Sequence, residues 1–140
     1  MPNSLKSATS IAKFKQGVQN NNPVDKIKSK LYNHGQRNLN ILHCQLRNIS
    51  SNLNADLYNH NLVESSKCLR YGYSYEDSFH FFFHCQFYNT QRNSLFRYMS
   101  DHDILIDINI LLHGYDCLSL TENISFFDQV HQFIKNSKRF

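Results

Sequence analysis

No stretch of this 140-residue chain approaches the roughly eighteen consecutive apolar residues that a membrane-spanning helix needs, so neither a transmembrane segment nor a membrane partner is expected. The opening residues, Met1 to Lys6, lead into no apolar signal-peptide core, so the protein is expected to be intracellular, in nucleus or cytoplasm, and not secreted. There is no internal repeat. Asparagine is abundant but builds no long low-complexity tract. Cysteine is scarce, at Cys44, Cys68, Cys85 and Cys117. Without a secretory signal, so few cysteines argue against a disulfide framework and for reduced thiols or metal ligands.

What is present describes a folded chain. Its length is that of one domain, and 41% hydrophobic with 14% aromatic residues is too apolar for a disordered one. The core of such a domain is modest, and a structural metal would add to it. The net charge of +4 conceals an asymmetry: residues 1–50 carry eight basic residues against Asp25 alone, whereas the remainder is net acidic. A basic N-terminal third can contact phosphate, with Lys26, Lys28, Lys30, Arg37 and Arg47 as candidates. The alternative is a solvated helix face, because the charges are spread out rather than packed into a run.

Apolar periodicity predicts a mainly α fold. Residues 4–19 read as a weak helix ended by Gly17 and the tract from Asn20 to Pro23, and 24–33 as a short helix. Residues 1–34 form a basic, loosely attached arm, and 35–140 a small helical domain. Leu39, Leu42, Leu46 and Ile49 predict an amphipathic helix over 38–49. Ser50 and Ser51 offer N-cap oxygens to a helix carrying Leu53 and Leu57. Residues 67–75 read as a short knuckle-like hairpin. Ile104, Leu105, Ile108, Leu111 and Leu112 predict a helix closed by Gly114, with Asp101 near its start. Thr121 is placed to cap the last helix, whose stripe is Phe126, Phe127, Val130, Phe133 and Ile134, and Lys135, Lys138 and Arg139 suit its C-terminal end.

The chemistry is concentrated between Cys68 and Cys85. Cys68, Tyr71, His80 and Cys85 stand at the spacing of a Cys3His zinc knuckle, except that a tyrosine occupies the second position. Gly72 would let the backbone turn around a metal. A phenol with a pKa near about 10 is a poor ligand at neutral pH, so zinc is expected to be bound weakly or lost. His84 is the nearest substitute, one turn after His80, and is otherwise a surface histidine. On one continuous helix His80 and Cys85 would lie about 140° apart, so they converge only if the helix breaks near His84. Two helices, about 77–83 and 86–99, satisfy that requirement. Phe79, Phe81, Phe82, Phe83 and Phe87 read as core rather than as a base-stacking platform.

These residues carry a resemblance. Gly35 to His43, Leu46 and Arg47, Ser51 with Leu53 to Leu57, then Cys68, Gly72, Glu76 and Asp77, His80 to Phe83, Cys85, Tyr88, and Gln91 with Arg92 resemble the C-terminal zinc-binding region of reverse transcriptases from jockey-type non-LTR retrotransposons. The ending, with Phe133, Ile134, Ser137, Arg139 and Phe140, is similar too, and the likeness spans about positions 35–140. The chain departs from that pattern at Tyr71, at Gln86 in place of a proline, and at Gln45 in place of an arginine. It holds no polymerase core and no Tyr-x-Asp-Asp motif, so the resemblance implies no enzyme. It implies a degenerate, truncated remnant: a monomeric zinc- and nucleic-acid-binding module, gripping RNA or DNA without polymerase activity. The alternatives are an inactive pseudogene product and a helical protein-interaction module.

Overall fold

The computed structural model describes residues 23–70 and 74–140. The helix expected over 4–19, and Tyr71 and Gly72, lie outside the described residues. Contacts divide the chain into two units, Met1–Lys30 and Leu31–Phe140. Of the first, only the start of helix α1 (Pro23–Tyr32) is described, with Lys26 and Lys30 exposed on it.

The second unit is a mainly α domain without a regular strand among its described residues. Five further α-helices follow: α2 (Arg37–Arg47), α3 (Asn54–Asn59), α4 (Asn89–Asp101), α5 (Ile108–His113) and α6 (Leu120–Ser137). A widened turn over His80–His84 and a 3-10 turn over Gln86–Tyr88 lie before α4. The hairpin expected at 67–75 is a single antiparallel bridge between Lys67 and Tyr75. Bonds from Cys68 N to Ser74 O (2.7 Å) and from Glu76 N to Ser66 O (2.8 Å) flank it.

α6 is the central element, packing against α2 and α4, while α2 also packs against α5. Its stripe is buried as its spacing requires: Phe126, Phe127, Val130, Phe133 and Ile134 are all nearly inaccessible. Phe133 meets Phe81 and Phe82 at centroid distances of 5.0 and 5.5 Å, which ties the segment bearing His80 to the core. α2 turns Leu39, His43 and Leu46 inward, and α4 turns Arg92, Leu95 and Met99 inward.

Several sequence expectations are corrected by local hydrogen bonding. α6 is capped by Ser119, not Thr121: Ser119 and Glu122 form a reciprocal capping box, which sets the start two residues earlier. The helix expected from 104 begins only at Ile108, because the Asp107 carboxylate accepts the amides of Asn109 and Ile110. Asp101 ends α4 instead, Ile104 is buried outside a helix, and Leu105 is exposed. Gly114 does close α5, at φ 89°, a conformation that disfavours side chains. α2 stops at Arg47, and Ile49, at φ 56°, is exposed. Ser51 is not an N-cap. Its hydroxyl donates to Asp56 (2.6 Å) and accepts the Leu53 amide, while the first amide of α3 is held by Glu76 (2.8 Å). Arg139 turns away from the α6 terminus towards Glu76.

Candidate metal centre

Two sulfur atoms and one imidazole converge where the knuckle meets the phenylalanine segment. The ligand atoms of Cys68, His80 and Cys85 all lie within 4.8 Å of one another, and all three residues are buried. The two Sγ atoms are 3.9 Å apart, beyond a disulfide bond, and both cysteines are free. Tetrahedral zinc with two thiolates at the usual bond length would hold its sulfurs about 3.8 Å apart. The donor set therefore fits a metal ion such as zinc. His80 strengthens that fit: its Nε2 is buried with no hydrogen-bond partner. A polar atom left so costs on the order of 1–3 kcal/mol, which a metal bond or another partner would offset.

The backbone explains how residues five apart meet. Asp77 begins the helical turn, its carboxylate accepting the His80 amide at 2.8 Å. The chain then widens, with Cys85 N bonding to His80 O at 2.8 Å, a bond spanning five residues. At Cys85 the backbone becomes extended (φ −68°, ψ 113°), and the helix is broken where convergence demands it.

One residue that spacing did not mark fixes this geometry. The buried guanidinium of Arg92 donates to the carbonyls of Phe82 (2.6 Å), Phe81 (3.1 Å) and Cys85 (2.9 Å), and to Asn89 Oδ1 (2.7 Å). Four acceptors around one planar fork lock the widened turn. Three of them are main-chain carbonyls, which leave no trace in residue type.

Burial sets the charge state without metal. Desolvation raises the Cys85 thiol, helped by neighbouring Cys68 and opposed by the Arg92 charge. Desolvation lowers the His80 imidazole, with the Glu76 and Asp77 carboxylates opposing. Both shifts favour neutral groups, and a cation at the centre would favour the thiolates instead.

The other expected site residues fall elsewhere. His84 is exposed and lies against Phe79, with ring centroids 4.9 Å apart and the planes tilted by 40°, and it is not one of the three converging ligands. Phe81 and Phe82 are core as expected, but Phe79, just before the widened turn, and Phe87, in the 3-10 turn after it, are about half exposed. Phe87 is covered by Arg70, whose guanidinium lies 4.0 Å from the ring centroid. Among the basic candidates, Arg37 is exposed but Arg47 is no free arm. Its Nε donates to Leu112 O at 2.6 Å and its guanidinium lies 3.8 Å above the Tyr32 ring.

A second titratable cluster went unmarked in the sequence. His43 is fully buried, its Nε2 2.8 Å from Leu111 O and its Nδ1 3.1 Å from His131 Nε2. A carbonyl only accepts, so His43 carries its proton on Nε2 and accepts one from His131. Burial holds both imidazoles below their ordinary range, His131 at about 4.

Among the described residues no helix is long and apolar enough to cross a membrane. Comparison of the chain with family models, with curated proteins and with solved structures finds no match.

Proposed function

We propose that the protein is a non-enzymatic nucleic-acid-binding module whose knuckle is organised by a structural metal, consistent with its resemblance to the C-terminal region of non-LTR retrotransposon reverse transcriptases. The observation that carries the metal part is the burial of Cys68, His80 and Cys85 with their ligand atoms within 4.8 Å. Zinc is the ion these ligands suit, since two thiolates and an imidazole match its preference and three protein ligands leave one position for water or a fourth group. When bound, it would contribute folding energy rather than catalysis. Arg92 and the Phe81–Phe133 contact position the ligand-bearing turn, and the basic N-terminal third supplies phosphate contacts to RNA or DNA. The module acts as a monomer inside the cell.

Cobalt or zinc titration of chelator-treated protein tests the metal. One ion per chain, with thiolate-to-cobalt charge transfer that Cys85→Ser abolishes, is the expected result. No saturable binding would overturn the metal reading. Affinity for a short single-stranded RNA should fall steeply as salt rises, because phosphate contacts release counterions. Affinity indifferent to salt, or retained after residues 1–30 are removed and Arg37 is neutralised, would overturn the nucleic-acid reading.

A further inference from the structure

Three part-buried arginines of the domain differ in how their charge is met. Arg139 faces the Glu76 carboxylate, and Arg92 donates to four oxygens. Arg47 has a carbonyl, the rings of Tyr32 and Phe127, the neighbouring Cys44 thiol and a buried Nη2 without a hydrogen-bond partner, but no carboxylate. A cation withdrawn from water ordinarily has an anion or a full set of acceptors. Desolvation lowers the Arg47 pKa, and the opposing influences come from Tyr32 and Cys44, not from a carboxylate.

Arg47 also lines an open pocket of about 320 Å³. Its wall is a face of α2 on which Arg37, Asn40, Cys44 and Arg47 recur at helical spacing, with Asn48 just past the helix end; this face flanks the buried Leu39, His43 and Leu46, and Arg47 stands one turn after His43. Tyr32 supplies the floor. Among the described residues no acidic side chain lines it; the carboxylate felt at Tyr32 is that of Asp116, outside the lining. Two guanidinium groups with the Asn40 amide form a donor-rich concavity, the Asn48 amide donating to Cys44 Sγ, and planar guanidinium forks match the oxygens of a phosphate.

The geometry points to this pocket as a phosphate-binding site, with Arg47 held in place by Leu112 O and Tyr32, and Arg37 as the exposed second arm. The pocket is independent of the metal centre. Its ligand is a phosphate group, either free or in the backbone of a nucleic acid, and the second source rests on the nucleic-acid reading above.

The test titrates full-length protein with inorganic phosphate at constant ionic strength, following the Arg47 Nε–H resonance by NMR. A matched titration uses a short single-stranded oligonucleotide. Phosphate should move the Arg47 signal saturably where chloride does not, and Arg37→Gln should weaken binding about tenfold. Because Arg47→Ala removes packing as well as charge, Asn40→Asp is the second variant, and its carboxylate should abolish phosphate binding while the fold persists. An Arg47 resonance that responds equally to chloride, or phosphate affinity unchanged in both variants, overturns the site. Saturable phosphate binding without oligonucleotide binding supports a site for free phosphate and overturns only the nucleic-acid reading. Oligonucleotide binding that neither variant alters, without a phosphate response at Arg47, overturns the pocket and leaves that reading standing.

Discussion

Arg139 closes a two-point ion pair on Glu76, sixty-three residues earlier, with Nε 2.8 Å from Oε2 and Nη2 2.8 Å from Oε1. Glu76 is only 2% exposed, and its Oε1 also accepts the first amide of α3. One carboxylate thus joins the chain end, the knuckle and α3. Arg139→Ala leaves that carboxylate buried with its charge unmet, and should cost about 3 kcal/mol. Chemical denaturation checks this, and a loss near zero would show that the pair is solvent-screened.

Restoring a thiol in the knuckle should act on metal affinity and stability together. Tyr71 stands at the second position of the Cys3His spacing. Tyr71→Cys is expected to tighten zinc and raise Tm in parallel, because the binding energy of a structural site is also folding energy. Calorimetry with and without chelator reads both. Wild-type protein that keeps stoichiometric zinc through chelation, with no gain in the variant, would show that another group already completes the site.

Stability should fall as the solution is acidified through the range of the buried histidines. His131 titrates at about 4 in the fold, mainly through desolvation, against about 6.5 unfolded. The unfolded chain therefore binds more protons between these values. The stability this provides is complete above the unfolded pKa and is lost as pH falls towards the folded one. Facing the pair are Arg47 and His113, which lower His43, and on the His131 side Asp128, which opposes the shift, and His34, which adds to it. Allowing for solvent screening, His131 alone contributes on the order of 2 kcal/mol across this window. His131→Gln should flatten the pH dependence of urea midpoints, and an unchanged slope would remove the pair as its source.

Gly114 cannot carry a side chain without strain. Its φ is 89°, and a Cβ there would come within 2.8 Å of Leu31 Cδ2. Gly114→Ala should destabilise by more than the roughly 1 kcal/mol that the positive φ alone costs, since Leu31 is itself core. Thermal denaturation measures it, and a neutral result would mean that the α5 terminus re-forms in another conformation.

The α6 stripe was legible in the sequence because burial of a helix face imposes a period on residue type, and Phe126, Phe127, Val130, Phe133 and Ile134 keep it. The convergence of Cys68, His80 and Cys85 was legible for a similar reason: metal geometry constrains spacing, and the five-residue step from His80 to Cys85 requires the break that is found there. Helix starts were not. Thr121 and Ser119, or Asp101 and Asp107, carry equivalent oxygens, and only the local backbone path decides which one reaches an amide. Nor could residue type separate Phe79 and Phe87 from Phe81 and Phe82, because which ring faces the core depends on the backbone path through two successive non-α turns. Arg92 on its carbonyls, Arg139 on Glu76, Arg47 on Tyr32 and the His43–His131 pair are relations across distance in the chain. Local pattern fixes which faces are apolar, whereas partners for buried polar groups are chosen only when helices far apart in sequence are brought together and each donor must find an acceptor out of water.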